Sequence, residues 1–115
     1  MNQQMNPETE KKIGQLQMYE QSIQQFLAQK NQFQSQLMEV DSALAELKKT
    51  DTAYKIIGNI MVLSEKDDLK KDLDSKKEML ELRIKTMEKQ ESQVKEKTSK
   101  LQSEILTKLN PEEKK

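Results

Sequence analysis

Apolar residues recur on a heptad pattern from Leu16 to Leu47 and again from Leu73 to Ile105, and a ten-residue run of different rhythm, Tyr54 to Leu63 (YKIIGNIMVL), separates the two. With Leu16 at position a, the a row is Leu16, Ile23, Lys30, Leu37 and Leu44, and the d row is Tyr19, Phe26, Phe33, Val40 and Leu47. Nine of these ten are apolar, a seam long enough to specify a coiled coil. Lys30 is the exception, and one polar a residue serves to set register. The second pattern puts Leu73, Leu80, Met87, Val94, Leu101 and Lys108 on one row. Its companion row is weaker: Lys77, Ile84, Glu91, Thr98 and Ile105.

Local signals bound these segments. Asn6, Pro7 and Glu8 supply an N-cap, a proline at the first helical position and an acid facing the positive end of the helix dipole, so the first helix is expected over residues 7–50. Ser64 and Asp67 fit a Ser-x-x-Asp capping pattern, and Asp68 adds an acid, which predicts a second helix over 67–109. Asn110 and Pro111 end it, leaving a charged tail, 110–115. The whole chain, 1–115, reads as one domain. Each arm spans roughly 60 Å at the α-helical rise, and a connector of about twenty residues cannot return the chain to the far end. The arms must therefore run antiparallel, with Leu47 near Leu69 and Leu16 near Leu101.

The connector, 53–64, reads as a β-hairpin. Gly58 and Asn59 form a two-residue turn, with glycine at the first central position as a type II′ turn requires. Ile57 then pairs with Ile60, and Lys55 with Val62. Tyr54, Ile56, Met61 and Leu63 occupy the alternate face, so both faces are almost wholly apolar. An isolated two-stranded hairpin is marginal in water, and no second strand-like run is present to complete it. Hairpins of other copies or relatives are the expected complement. Seven buried apolar residues would contribute on the order of 10 kcal/mol to such an assembly before entropic costs.

Composition narrows the class. Hydrophobic residues make up 33% and charged residues 35% of 115, too lean for a compact core but sufficient for narrow helical seams. Twenty basic and twenty acidic residues cancel, although residues 1–47 carry three Lys against six acids and residues 69–108 carry eleven basic residues against eight. The basic residues of the second helix are interleaved with acids and lack aromatic neighbours, which argues against nucleic acid. No cysteine, signal-peptide core or apolar run of membrane-spanning length is found, so a soluble, cytoplasmic protein is expected. With no His, no Cys and no glycine-rich phosphate loop, neither catalysis nor a cofactor or metal site is expected.

Near the free ends of the arms several apolar residues fall off the seam: Met5, Ile13, Met18, Leu106 and Leu109. One partner helix cannot bury them all. They form a candidate adaptable surface for exposed hydrophobic segments, to which the methionines bring flexibility. A coiled-coil adaptor for one folded partner is the alternative, but an adaptor needs no strand that is apolar on both sides.

An N-terminal heptad helix, the stretch AYKIIGNIMVL followed by SEKDDLKKDL, and a second heptad helix together resemble the beta class of prefoldin subunits over nearly the whole chain. Tyr54-Lys55-x-x-Gly58-x-x-x-Val62 is the most specific part, and one hairpin instead of two resembles the beta class more than the alpha. The resemblance implies a mainly α fold, an antiparallel two-helix coiled coil whose central β-hairpin joins an oligomeric β-barrel platform. It implies a hexamer of two alpha-class and four beta-class subunits that captures non-native proteins at coiled-coil tips without ATP and delivers them to a group II chaperonin. Tyr54, Ile56, Ile57, Gly58, Ile60, Val62 and Leu63 would be the platform residues. The cysteine-free, Lys/Glu-rich arms are compatible with an archaeal subunit.

Overall fold

The computed structural model describes residues 6–109, in the order α1 (Pro7–Leu47), β1 (Ala53–Ile57), β2 (Ile60–Ser64) and α2 (Lys66–Leu109). Asn6 caps α1 twice over. Its side-chain Oδ1 accepts the Thr9 N–H at 2.8 Å and its carbonyl accepts the Glu10 N–H at 3.1 Å, while Pro7 takes the first helical position. The helix stops at Leu47, three residues before the expected end. There Lys49 N–H turns back to the Glu46 carbonyl at 3.0 Å, and the Thr50 hydroxyl both donates to the Thr52 carbonyl (3.0 Å) and accepts from its N–H (3.3 Å). This local side-chain bonding offers the backbone an alternative to another helical turn.

The strands pair antiparallel with Ile57 opposite Ile60, Ile56 opposite Met61, Lys55 opposite Val62, Tyr54 opposite Leu63 and Ala53 opposite Ser64. Gly58 has φ +62° and no other described residue has a positive φ, which is the type II′ pattern. Ser64 closes β2 instead of capping α2. The N-cap position falls on Glu65, whose carbonyl accepts the Leu69 N–H at 3.0 Å, with Asp67 and Asp68 in the first turn facing the dipole.

The chain divides into two units, a terminal unit (Met1–Gln29 with Met87–Lys115) and a hairpin unit (Lys30–Thr86). In the terminal unit α1 and α2 run antiparallel: Glu8 meets Lys108 at 3.1 Å and Lys12 meets Glu104 at 3.7 Å, pairs whose residue numbers both add to 116. Leu16 is therefore level with Leu101, as the seam predicts. Leu101 and Ile105 are buried, and Leu16, Tyr19, Ile23, Phe26, Met87 and Val94 are half-buried. The seam also reaches one heptad earlier than expected, because Thr9 at position a is buried.

Taking the companion row of α2 as position a, this register sets it opposite the d row of α1, so Thr98 comes level with Tyr19 and Glu91 with Phe26. Glu91 is buried and reaches Lys95 at 3.6 Å, whereas the Thr98 Oγ1 is buried without a hydrogen-bond partner, a destabilising feature of its layer.

The hairpin unit has the same antiparallel sense. Asp41 and Lys77 are 2.9 Å apart and the Arg83 guanidinium lies 5.7 Å from the centre of the Phe33 ring. Val40, Leu47 and Leu80 are buried, with Leu80 only 1% exposed, and Phe33, Leu37, Leu44, Leu73 and Ile84 are half-buried around them. Lys77 sits in the seam by sequence but carries its ammonium out to Asp41, so no isolated charge is buried.

Two of these ion pairs give the stability a pH window. Lys108, hydrogen-bonded to Glu8, holds the Glu8 carboxyl below its ordinary value, and the Lys108 and Lys12 charges add to this; Asp41, hydrogen-bonded to Lys77, raises the Lys77 ammonium above its own. A depressed carboxyl stabilises above its unfolded pKa and loses that contribution as pH falls through its folded pKa; a raised ammonium loses its contribution as pH rises through its folded pKa. The thermal midpoint should thus be flat near neutrality and decline both below the carboxylate range and above the lysine range. Both groups are exposed, so the declines should be small. Glu8→Gln should blunt the acid limb and Lys77→Met the alkaline limb in melts followed by circular dichroism.

Candidate functional site

Sequence and backbone together leave the hairpin bare. Tyr54, Ile56, Met61 and Leu63 are 55–70% exposed, and Ile57, Ile60 and Val62 are exposed on the other face. Gly58 supplies the turn and offers no side chain to bury. Ala53 is the one buried strand residue, 8% exposed, and Lys55 bonds Asp72 of α2 at 3.6 Å. A contiguous apolar surface of this kind on a small unit marks an interaction site, and both strand edges carry unpaired backbone groups. The seven sequence-predicted hairpin residues are thus brought together, six on the two strands and Gly58 in the turn between them.

The off-seam residues are sorted differently. In the terminal unit Met18 and Leu106 are exposed and Ile13 is half-buried. By heptad position Ile13 (e) and Leu106 (b) share one flank of the helix pair, and Met18 (c) lies on the opposite flank. Among the described residues these side chains therefore fall on both flanks of the helix pair. Met5 lies outside the described residues, as does the side chain of Leu109. A shallow groove of about 370 Å³ in the same unit is lined by Lys12, Lys100, Ser103, Glu104, Thr107 and Lys108, and none of the predicted tip residues contributes to it.

Sequence reasoning did not single out Leu27, Met38, Met79 and Leu82, all exposed along the outer helix surfaces. Their heptad positions, e, b, c and f, carried the signal. In the hairpin unit Met79 and Leu82 line a shallow groove with Ser75, Glu78, Glu81 and Lys85. Among the described residues no cluster of His, Cys, Asp or Glu is placed to hold a metal ion, and no helix is long and apolar enough to cross a membrane.

Comparison with known proteins gives one consistent answer. A family model described as "Prefoldin subunit" matches residues 10–112. The prefoldin subunit beta of Archaeoglobus fulgidus is 36% identical over 109 residues, covering 92% of this chain and 94% of the relative. That of Sulfolobus acidocaldarius is 37% identical over 119 residues, covering 97% and 94%. Among solved structures, the crystal structure of the prefoldin beta subunit from Thermococcus strain KS-1 superposes with a TM-score of 0.84 at 32% identity, covering 92% of this chain and 96% of that one.

Proposed function

The chain belongs to the prefoldin subunit family, and from that premise we propose that it is a beta-class subunit of an ATP-independent holdase. Its hairpin joins those of partner subunits in a β-barrel platform, in a hexamer of two alpha-class and four beta-class chains. The paired helices project from that platform, and their free ends capture non-native proteins through off-seam apolar groups for delivery to a group II chaperonin in the cytoplasm. Binding of this kind uses many weak apolar contacts and no covalent step, which suits a chain built from Lys, Glu, Gln and aliphatic residues.

One observation carries the reading: a hairpin that is apolar on both faces and left bare by its own helices. Removing such residues from water is worth about 1.5–3 kcal/mol each when burial is complete. A surface of that strength needs partner strands, whereas the attraction between exposed charges along the arms is worth at most about 1 kcal/mol per pair. The test is the mass of the species formed when the chain is mixed with an alpha-class prefoldin subunit and examined by sedimentation. Two alpha and four beta chains per particle are expected; a mixture that sediments as separate monomers, or a simple dimer of rods, would refute the assembly.

A further inference from the structure

The outward surfaces of the two helices differ in charge. In the terminal unit the b, c and f positions of α1, which project away from α2, hold Gln17, Met18, Gln21, Gln24, Gln25 and Ala28, all exposed. From Gln17 to Ala28 this helix carries a single charge, Glu20, in a chain of which 35% is charged. The stretch of α2 level with it, 88–99, carries six: Glu88, Lys89, Glu91, Lys95, Glu96 and Lys97. In the hairpin unit Asn31, Gln32, Ser35 and Met38 occupy outward positions of α1, again exposed and uncharged.

Charges on an exposed helix bring solubility and pairs four residues apart, as Glu91 and Lys95 form at 3.6 Å on α2. The outward face of α1 forgoes both and presents amides. An ammonium only donates and a carboxylate only accepts, whereas each glutamine side chain does both. A peptide main chain is likewise uncharged and presents donors and acceptors together. The spacing also matches. Gln17, Gln21 and Gln24 stand about one turn apart along the helix, a repeat of ~5.4 Å. An extended chain offers polar main-chain groups to one side every second residue, a repeat of ~6.6 Å that flexible glutamine side chains can follow.

On the basis of the capture reading above, we propose that the amide face of α1 in the terminal unit is a second client subsite, where Gln17, Gln21 and Gln24 hold an extended, uncharged stretch of a non-native chain by hydrogen bonds to its main chain. The occupant follows from polarity. A folded surface is rich in charged groups, which lose water against this face and find no counter-charge on it. An extended uncharged segment brings unpaired N–H and C=O groups that the amides satisfy, and Met18 in the same row adds apolar contact. Main-chain recognition is indifferent to client sequence, so it complements the apolar groups instead of duplicating them.

The experiment measures, by fluorescence anisotropy, binding of a short labelled peptide of uncharged residues to the complex of this chain with an alpha-class subunit. A second peptide has the same sequence with alternate main-chain nitrogens methylated, which removes the donors along one edge. The unsubstituted complex should bind the plain peptide more tightly than the methylated one. Gln17→Glu, Gln21→Glu and Gln24→Glu together should weaken plain-peptide binding by about tenfold, the loss of three net hydrogen bonds at the low end of their range, and should erase the difference between the peptides. Ser92→Glu, Gln93→Glu and Ser99→Glu add the same charge to the outward face of α2 at the same level and should change neither affinity. Helicity and the mass of the complex should stay constant throughout. Equal affinities of the unsubstituted complex for the two peptides, or equal weakening by the two triple variants, would overturn the subsite. A lower mass for the Gln17, Gln21 and Gln24 variant would also overturn it, by showing that the face holds another subunit. If the subsite falls while the complex still suppresses aggregation, the capture reading stands; a complex that binds no denatured protein overturns both.

Discussion

Leu80→Ala should lower the stability of the helix pair by about 2–5 kcal/mol, the range for truncating a fully buried leucine. Leu80 is 1% exposed, the largest fully buried side chain among the described residues, and the antiparallel register sets it level with Leu37 in the hairpin unit. A two-helix seam is one layer thick. A cavity opened there has few neighbouring groups that can collapse into it, so the loss should sit toward the upper end of that range. At roughly 5 °C per kcal/mol for a chain of this size, the thermal midpoint should fall by about 10–25 °C. Leu82→Ala, two residues further on and exposed, is the control and should change stability by less than about 0.5 kcal/mol. Equal shifts from the two variants would show that the seam does not run through Leu80.

The second large effect concerns capture. Replacing Ile13, Met18 and Leu106 together by serine should abolish or severely reduce the ability of the reconstituted complex to keep a denatured model protein from aggregating. These residues flank the helix pair without lying at its a or d positions, so their apolar surface is available to a client at little cost to the seam. Because Ile13 and Leu106 lie on one flank and Met18 on the other, Ile13→Ser with Leu106→Ser should weaken capture more than Met18→Ser alone. The mass of the complex should not change, since the hairpin residues are untouched. Undiminished protection by the triple variant would move the client surface to other residues, with the exposed Leu27, Met38, Met79 and Leu82 the next to examine.

Much of this architecture was legible in the chain because each element has its own period. Every heptad position from Leu16 to Leu47 is buried or half-buried in α1, and the Gly58-Asn59 turn fixes the strand register that the pairing shows. Boundaries were less legible. The expected end of α1 missed the Thr50–Thr52 bonding because threonine is neutral in a helix until its hydroxyl finds a local backbone partner, and Ser64 looked like a cap although β2 already uses it. Burial of Glu91 and of the Thr98 hydroxyl was hidden for another reason: it depends on which α1 residues lie opposite, and only the three-dimensional register sets Phe26 and Tyr19 there.

The candidate sites were legible to different depths. An apolar strand pair with no partner announces itself in composition, so the hairpin was readable as a surface. The Lys55–Asp72 pair was not, because it joins residues from different elements. The proposed capture residues carry a weaker signal still. Being off the seam says that a side chain is available, but the flank on which it projects follows from helix geometry, which separates Met18 from Ile13 and Leu106.

The most direct test of the central claim is light scattering from a chemically denatured model protein diluted into buffer containing the complex of this chain with an alpha-class subunit, with and without ATP. Dose-dependent suppression of scattering is expected, saturating near stoichiometric amounts and identical in the two conditions, because the sequence carries no glycine-rich motif for cradling a nucleotide. Scattering that rises as fast as in buffer alone, or suppression that appears only when ATP is added, would contradict it.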